Sequence, residues 1–184
     1  MSLGDGPVER DPTVELRALA HPVRLRILSL LTATEMTAAE VARELDLTHA
    51  NASYHLRHLL DAGVIQVAGE ERIRGGVAKR YRYDATHDFD RRRPTPGDAE
   101  PTRDHRLLYA ALATELRRRG EQARRSSDNF LTDAEFWIDP ETWQTVRDQI
   151  ATAAETLHQA SQPLRTPGTI RVSATVALFQ MTED

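Results

Sequence analysis

Residues 37–66, TAAEVARELDLTHANASYHLRHLLDAGVIQ, hold two helix starts eleven residues apart, and that spacing constrains the chain more than any other feature. Thr37 and Glu40 form a capping box: the hydroxyl takes one unpaired N–H of the first turn, and the carboxylate returns to another. Val41 and Leu45 continue an apolar face. Asp46-Leu47 breaks the helix, and Thr48 caps the next one. In that second helix, at 100° per residue, Ala52, Leu56, Leu59 and Leu60 share one side and require a core. Ala50, Asn51, Tyr54, Arg57 and His58 fall on the other side, with Ser53 and His55 on the flanks. Gly63 is suited to the left-handed position that ends the helix.

The flanks extend this pattern. Val14, Leu16 and Leu19 give a short helix from about Thr13. In AHPVRLRILSLL, Pro22 suits the first turn of a helix, where its missing N–H is harmless. Val23, Ile27, Leu30 and Leu31 then make an apolar stripe. After Gly63, VIQVA and KRYRY read as strands, joined by a hairpin turn at Gly75-Gly76. Arg72, Arg74, Lys79, Arg80 and Arg82 crowd this hairpin. The whole chain of 184 residues has a formal net charge of −4, which argues against wholesale wrapping by nucleic acid. Thr13 to Asp84, with 10 basic and 9 acidic residues, is near neutral, so a compact basic patch on an acidic chain suits local contact with a polyanion.

From Thr86 to Arg103 the composition changes. Residues 1–11 read as a disordered tail, 12–85 as one domain, 86–103 as a proline-rich linker, and 104–184 as a second region. That region opens with a helix over Arg103–Arg125, its apolar face being Leu107, Leu108, Ala111, Leu112 and Leu116. DAEFWI reads as a short strand. Asp139-Pro140-Glu141 starts a helix, in which Trp143, Val146, Ile150, Ala153, Leu157 and Ala160 form a seam for one neighbouring helix. That neighbour is either the Arg103–Arg125 helix or a second protomer. GTIRVSATVALFQM reads as a closing strand, which makes a small βαβ unit. Phe130, Phe136, Trp137, Trp143 and Phe179 are expected to form core; the functional alternative is a pocket for an apolar small-molecule effector.

Three short helices and a two-stranded hairpin with a basic turn, within about 70 residues, describe a winged helix-turn-helix. The expected fold class is mostly α with small β: this domain, then a helical dimerisation region with the βαβ unit. LAHPVRLRILSLL, TAAEVARELDLTHANASYHLRHLLDAGVI and RGGVAKRYRY together resemble the arsenical-resistance repressor (ArsR) family of bacterial regulators. Thr48 through Leu56 fall in order on that family's recognition helix, and the resemblance covers Thr13 to Asp84. It implies a DNA-binding transcriptional regulator, a repressor by default, working as a homodimer on an inverted repeat.

A recognition helix needs an apolar side to dock on its own domain and short mixed donors and acceptors on the other to read base edges. Thr48, His49, Asn51, Ser53 and Tyr54 are therefore the expected readers, with Arg57 on phosphate. Arg72, Arg74, Lys79 and Arg80 of the wing are expected on the DNA backbone. Metal sensors belong to the same family, and His55 and His58 are three apart. The chain has no cysteine, however, and the helix after Thr102 lacks a second ligand after His105 at metal spacing, so no metal or other cofactor is expected. No triad context, phosphate-cradling loop or His-Glu-x-x-His motif suggests an enzyme. No apolar run approaches the roughly 18 residues of a membrane span, so a cytoplasmic protein with no membrane partner is expected. The rival readings are a metal-responsive sensor and a winged helix that binds protein or RNA.

Overall fold

The computed structural model describes residues 12–83, 105–125 and 129–181. The tail expected over 1–11 and the linker expected over 86–103 lie outside the described residues.

The first body is built by α1 (Pro12–Leu19), α2 (Pro22–Leu31), α3 (Ala38–Leu45) and α4 (His49–Asp61), with a sheet of β1 (Met36–Thr37), β2 (Gln66–Ile73) and β3 (Gly76–Arg82). Each helix starts where its capping chemistry directs. Pro22 occupies the first turn of α2, and His21 caps it by accepting the Val23 N–H at its Nδ1, 3.1 Å away. Thr37 and Glu40 form the expected box: Thr37 Oγ accepts the Glu40 N–H at 3.3 Å, and the Glu40 carboxylate accepts the Thr37 N–H at 2.7 Å. At the end of α3, Asp46 turns left-handed at φ 54°, and the Leu47 N–H returns to the Ala42 carbonyl at 2.8 Å. Thr48 then caps α4 through the Asn51 N–H, 3.2 Å away. Gly63 ends α4 at φ 68°, a backbone region closed to most side chains.

Ile27 and Leu31 of α2, Val41 of α3, and Leu56 and Leu59 of α4 are the largest fully buried side chains. Ala18, Leu19, Val64 and Ile65 close the same cluster. The sheet order is β1-β3-β2, antiparallel throughout, with Met36 opposite Tyr81, Thr37 opposite Arg80, and Ile73 opposite Gly76 at the hairpin tip. Ala68 is an extra residue between the Val67–Tyr81 and Gly69–Arg80 pairs, a bulge that twists the ribbon. These elements form a winged helix-turn-helix. Thr37 is both a strand residue and the cap of α3. Thr37→Ala is expected to lower the unfolding free energy by about 1 kcal/mol in urea titrations, because the hydroxyl's bonds with the Glu40 N–H and carboxylate are lost at a buried position while the Thr37 N–H bond remains.

Helix α5 (Arg106–Glu121) lies against α1 and α2 rather than standing apart. Its packed face differs from the expected one. Ala111 and Glu115 are buried and Leu108 packs on the first core, while Leu107 and Leu116 are exposed. Glu115 tolerates burial because Arg118 and Arg119 pair with it at 2.7 and 3.5 Å, a local solution that an apolar-face count cannot see.

The distal expectations need correction. Asp139 does cap α6 (Pro140–Gln159), accepting the Thr142 N–H at 2.8 Å. Yet α6 buries no residue: of its seam, Trp143, Val146 and Ile150 are half-buried, while Ala153, Leu157 and Ala160 lack a covering layer. DAEFWI and residues 169–181 form no strand, so the βαβ unit is not formed. Alternation marks a segment able to pair, but a strand exists only where a partner edge accepts its backbone bonds. The aromatic cluster is not core either: Phe130, Phe136, Trp137 and Phe179 are exposed and Trp143 is half-buried, because no second layer of described residues covers them.

Candidate nucleic-acid interface

The tight turn Asp46-Leu47-Thr48 holds α4 across α3, with Leu47 packed on the core. Leu56, Leu59 and Ala52 are buried without residual exposure, so the opposite face of α4 must look outward. The exposed residues are Thr48, His49, Ala50, Asn51, Tyr54, Arg57, His58 and Asp61; Ser53 is half-buried on the flank. Of the five expected readers, Thr48, His49, Asn51 and Tyr54 are thus exposed, as is Arg57, and Ser53 is half-buried. His58 belongs to the same surface, its ring edge-on to Tyr54 with centroids 4.5 Å apart. It is an addition to the expected site residues, and its place four after Tyr54 is the signal that puts the two side by side.

His55 has the opposite fate. It is buried, its ring 4.6 Å from that of His21 and 5.3 Å from Tyr54. Burial, together with the nearby His21, Arg24 and His58, holds its imidazole down to about 4 from an ordinary 6.5. Burial and Arg24 lower His21 as well. Both rings are thus neutral at pH 7, and His55 packs the recognition helix onto the start of α2. His55 and His58 occupy different environments, one core and one solvent. Among the described residues, no group of three or more His, Asp or Glu side chains is placed to hold a metal ion.

The ribbon of β2 and β3 extends from the sheet with both faces largely exposed, and Gly75 takes φ 97° at its tip. Arg72, Arg74, Lys79 and Arg82 are exposed or nearly so. Arg80 is placed differently from its neighbours. Its Nη1 is 2.7 Å from Glu71 and 3.5 Å from Glu40, and its Nη2 donates to the Glu35 carbonyl at 2.5 Å. The guanidinium fastens the ribbon's base to α3 and the loop before β1. Glu40 serves both Arg80 and the cap of α3, and its carboxyl is held below the ordinary range, chiefly by the Thr37 N–H. Sequence spacing puts Arg80 among the basic residues but does not reveal that three oxygens surround it.

Residues 19–68 match the model of a helix-turn-helix domain family. That match runs from the last residue of α1 through the recognition helix into β2, and so contains all of α2, α3 and α4. No curated protein matches the chain. The helix-turn-helix match supports DNA binding and transcription regulation as the function of this part of the chain. Among the described residues, no helix is long and apolar enough to cross a membrane.

Proposed function

We propose that the protein is a sequence-specific regulator of transcription that binds duplex DNA as a homodimer on an inverted repeat, and represses by occupying its operator. The observation that carries this reading is the exposed amino-terminal half of α4, rich in short polar side chains, beside a ribbon with three unclamped basic residues, Arg72, Arg74 and Lys79. A helix of this kind fits the major groove, where mixed donors and acceptors can distinguish all four base pairs. The ribbon reaches the flanking backbone, where arginine and lysine position rather than specify. Arg80 has the mechanical role of holding that ribbon. Two copies with recognition helices about 34 Å apart would read half-sites one DNA turn apart. The resemblance to the arsenical-resistance repressor family supports the same reading. An apolar effector belongs to it only through the exposed distal aromatics, and such a ligand would act by favouring a dimer geometry that fits DNA poorly.

Selection of bound duplexes from a random DNA pool tests this directly. An enriched inverted repeat is expected; the absence of any enriched duplex would favour protein or RNA as the partner. On the selected duplex, Asn51→Ala is expected to cost about 1–2 kcal/mol and relax one or two base pairs per half-site, with little change on random DNA. The Arg72→Ala/Arg74→Ala chain is expected to weaken all duplexes alike, and to flatten the slope of log K against log salt by about 0.9 for each phosphate that is no longer neutralised. An unchanged slope removes the ribbon from the interface.

A further inference from the structure

Two stretches of the distal region have the pattern of strands and the pairing of none. Over 130–138, Phe130, Thr132, Ala134, Phe136 and Ile138 alternate with Leu131, Asp133, Glu135 and Trp137. Over 170–181, Ile170, Val172, Ala174, Val176 and Leu178 alternate with Arg171, Ser173, Thr175, Ala177 and Phe179. No backbone group in either stretch makes a backbone hydrogen bond among the described residues. The second stretch is held beside α5, with Phe179 stacked on Tyr109 at 5.2 Å and Arg171 donating to Gln122 at 3.3 Å. Its apolar side stays open: Ile170 is 80% exposed and Val172 64%, as Phe130 is 89% in the first stretch.

We propose that these two stretches pair across a two-fold axis with a second copy of this chain, 130–138 of each protomer lying against 170–181 of the other. The pairing deepens the homodimer of the proposed function, but it rests on no DNA contact. The two stretches lie unpaired in the protomer among the described residues, and three further observations fit a second copy as the occupant. The first is parity. Cross-strand neighbours share a face, and a single-residue slip exchanges faces. When the even-numbered residues of both stretches face the same side, that side is Phe130, Thr132, Ala134, Phe136 and Ile138 beside Ile170, Val172, Ala174, Val176, Leu178 and Gln180. The same parity places Arg171 on the face of Asp133 and Glu135.

The second is charge. The stretch 130–138 has two acids and no base, and 170–181 has one base and no acid, so each carries the complement of the other. A chain that holds both complements satisfies both when two copies meet, because the pairing is reciprocal under two-fold symmetry. The third is area. The exposed large apolar side chains of the even-numbered side, Phe130, Phe136, Ile138, Ile170, Val172, Val176 and Leu178, present on the order of 900 Å² per protomer, against roughly 800 Å² per partner in a stable interface.

Charge reversal tests the pairing in the full chain. Arg171→Glu makes both stretches acidic, and Asp133→Arg/Glu135→Arg makes both basic. Each variant alone is expected to dimerise about tenfold or more weakly than the parent in sedimentation equilibrium. An equimolar mixture of the two is expected to form heterodimers, since every acidic stretch then meets a basic one in trans. Matching circular dichroism and thermal melting of the first domain would show that the variants are folded. A parent chain that stays monomeric at high micromolar concentration overturns the proposal. So does a mixture no more dimeric than its components, whether the stretches pair within one chain or another surface holds the dimer. None of these outcomes touches the DNA reading: a monomer that still prefers the selected half-site leaves that function standing without this dimer.

Discussion

Leu56→Ala is expected to cost about 3–5 kcal/mol of folding free energy and to abolish DNA binding without altering one residue that faces DNA. Leu56 has no exposure and sits on the docked side of α4, among Ile27, Leu31, Val41 and Leu59. Removing a leucine side chain there loses its transfer free energy and leaves a cavity that rigid helices fill poorly. The body that carries α4 is small, and for a stability at the low end of the usual range of about 5–15 kcal/mol a loss of this size leaves a substantial unfolded fraction. Urea titration of the variant should show a lower midpoint with little change in slope. Tyr54→Ala is the informative partner, because Tyr54 is half exposed on the same helix. It should leave the midpoint nearly in place and weaken binding to the selected duplex. Equal midpoints for Leu56→Ala and the parent would mean that α4 is not held by this core.

The second large effect is a loss of stability on mild acidification. His55 binds a proton at about pH 4 in the folded chain and at 6.5 when unfolded. Above pH 6.5 the ring is neutral in both states and the packed form keeps its full advantage. As pH falls from 6.5 towards 4, the unfolded chain takes up the proton first, and stability falls throughout that interval. The difference corresponds to about 3 kcal/mol. Relaxation of the surroundings around a charged ring offsets part of this, and a decline of about 2 kcal/mol is expected. The groups around the ring, His21, Arg24, His58 and Tyr54, include no carboxylate to offset a new positive charge. His21, whose value is also lowered, adds in the same direction. Chemical denaturation at half-unit steps from pH 7.5 to 4.5 should show the decline in the parent and most of it removed in His55→Leu. A parent curve that is flat between pH 6.5 and 4.5 would rule out a buried neutral His55.

Residues 12–83 are largely legible in the sequence because local chemistry and global packing agree there. Thr37, Thr48 and Gly63 mark ends that a core then uses, and the apolar face of α4 in the sequence is the buried face in the structure. The side chains that sequence spacing misplaces are those whose state depends on distant neighbours. Arg80 reads as one more basic residue of the wing until Glu35, Glu40 and Glu71 surround it. The short strand β1 is two residues long and exists only because β3 lies beside it. The distal half is illegible for a related reason. Its periodicities describe surfaces that pack, but they do not say on what. Helix α5 covers α1 and α2, which leaves α6 and the two alternating stretches exposed in the protomer.

Thr37 has a consequence for how this body opens. Its backbone lies in the sheet opposite Arg80, while its hydroxyl and N–H complete the first turn of α3. Arg80 returns to Glu40 in that same turn. The ribbon therefore cannot fray from its base without uncapping the helix, and the helix cannot fray at its start without releasing the ribbon. Amide protons in the first turn of α3 and along the sheet end of β3 should exchange with solvent together, as one cooperative unit, while those near Gly75 exchange earlier. A wing with a mobile tip and a rigid root would adapt to the DNA backbone without changing the angle at which α4 enters the groove.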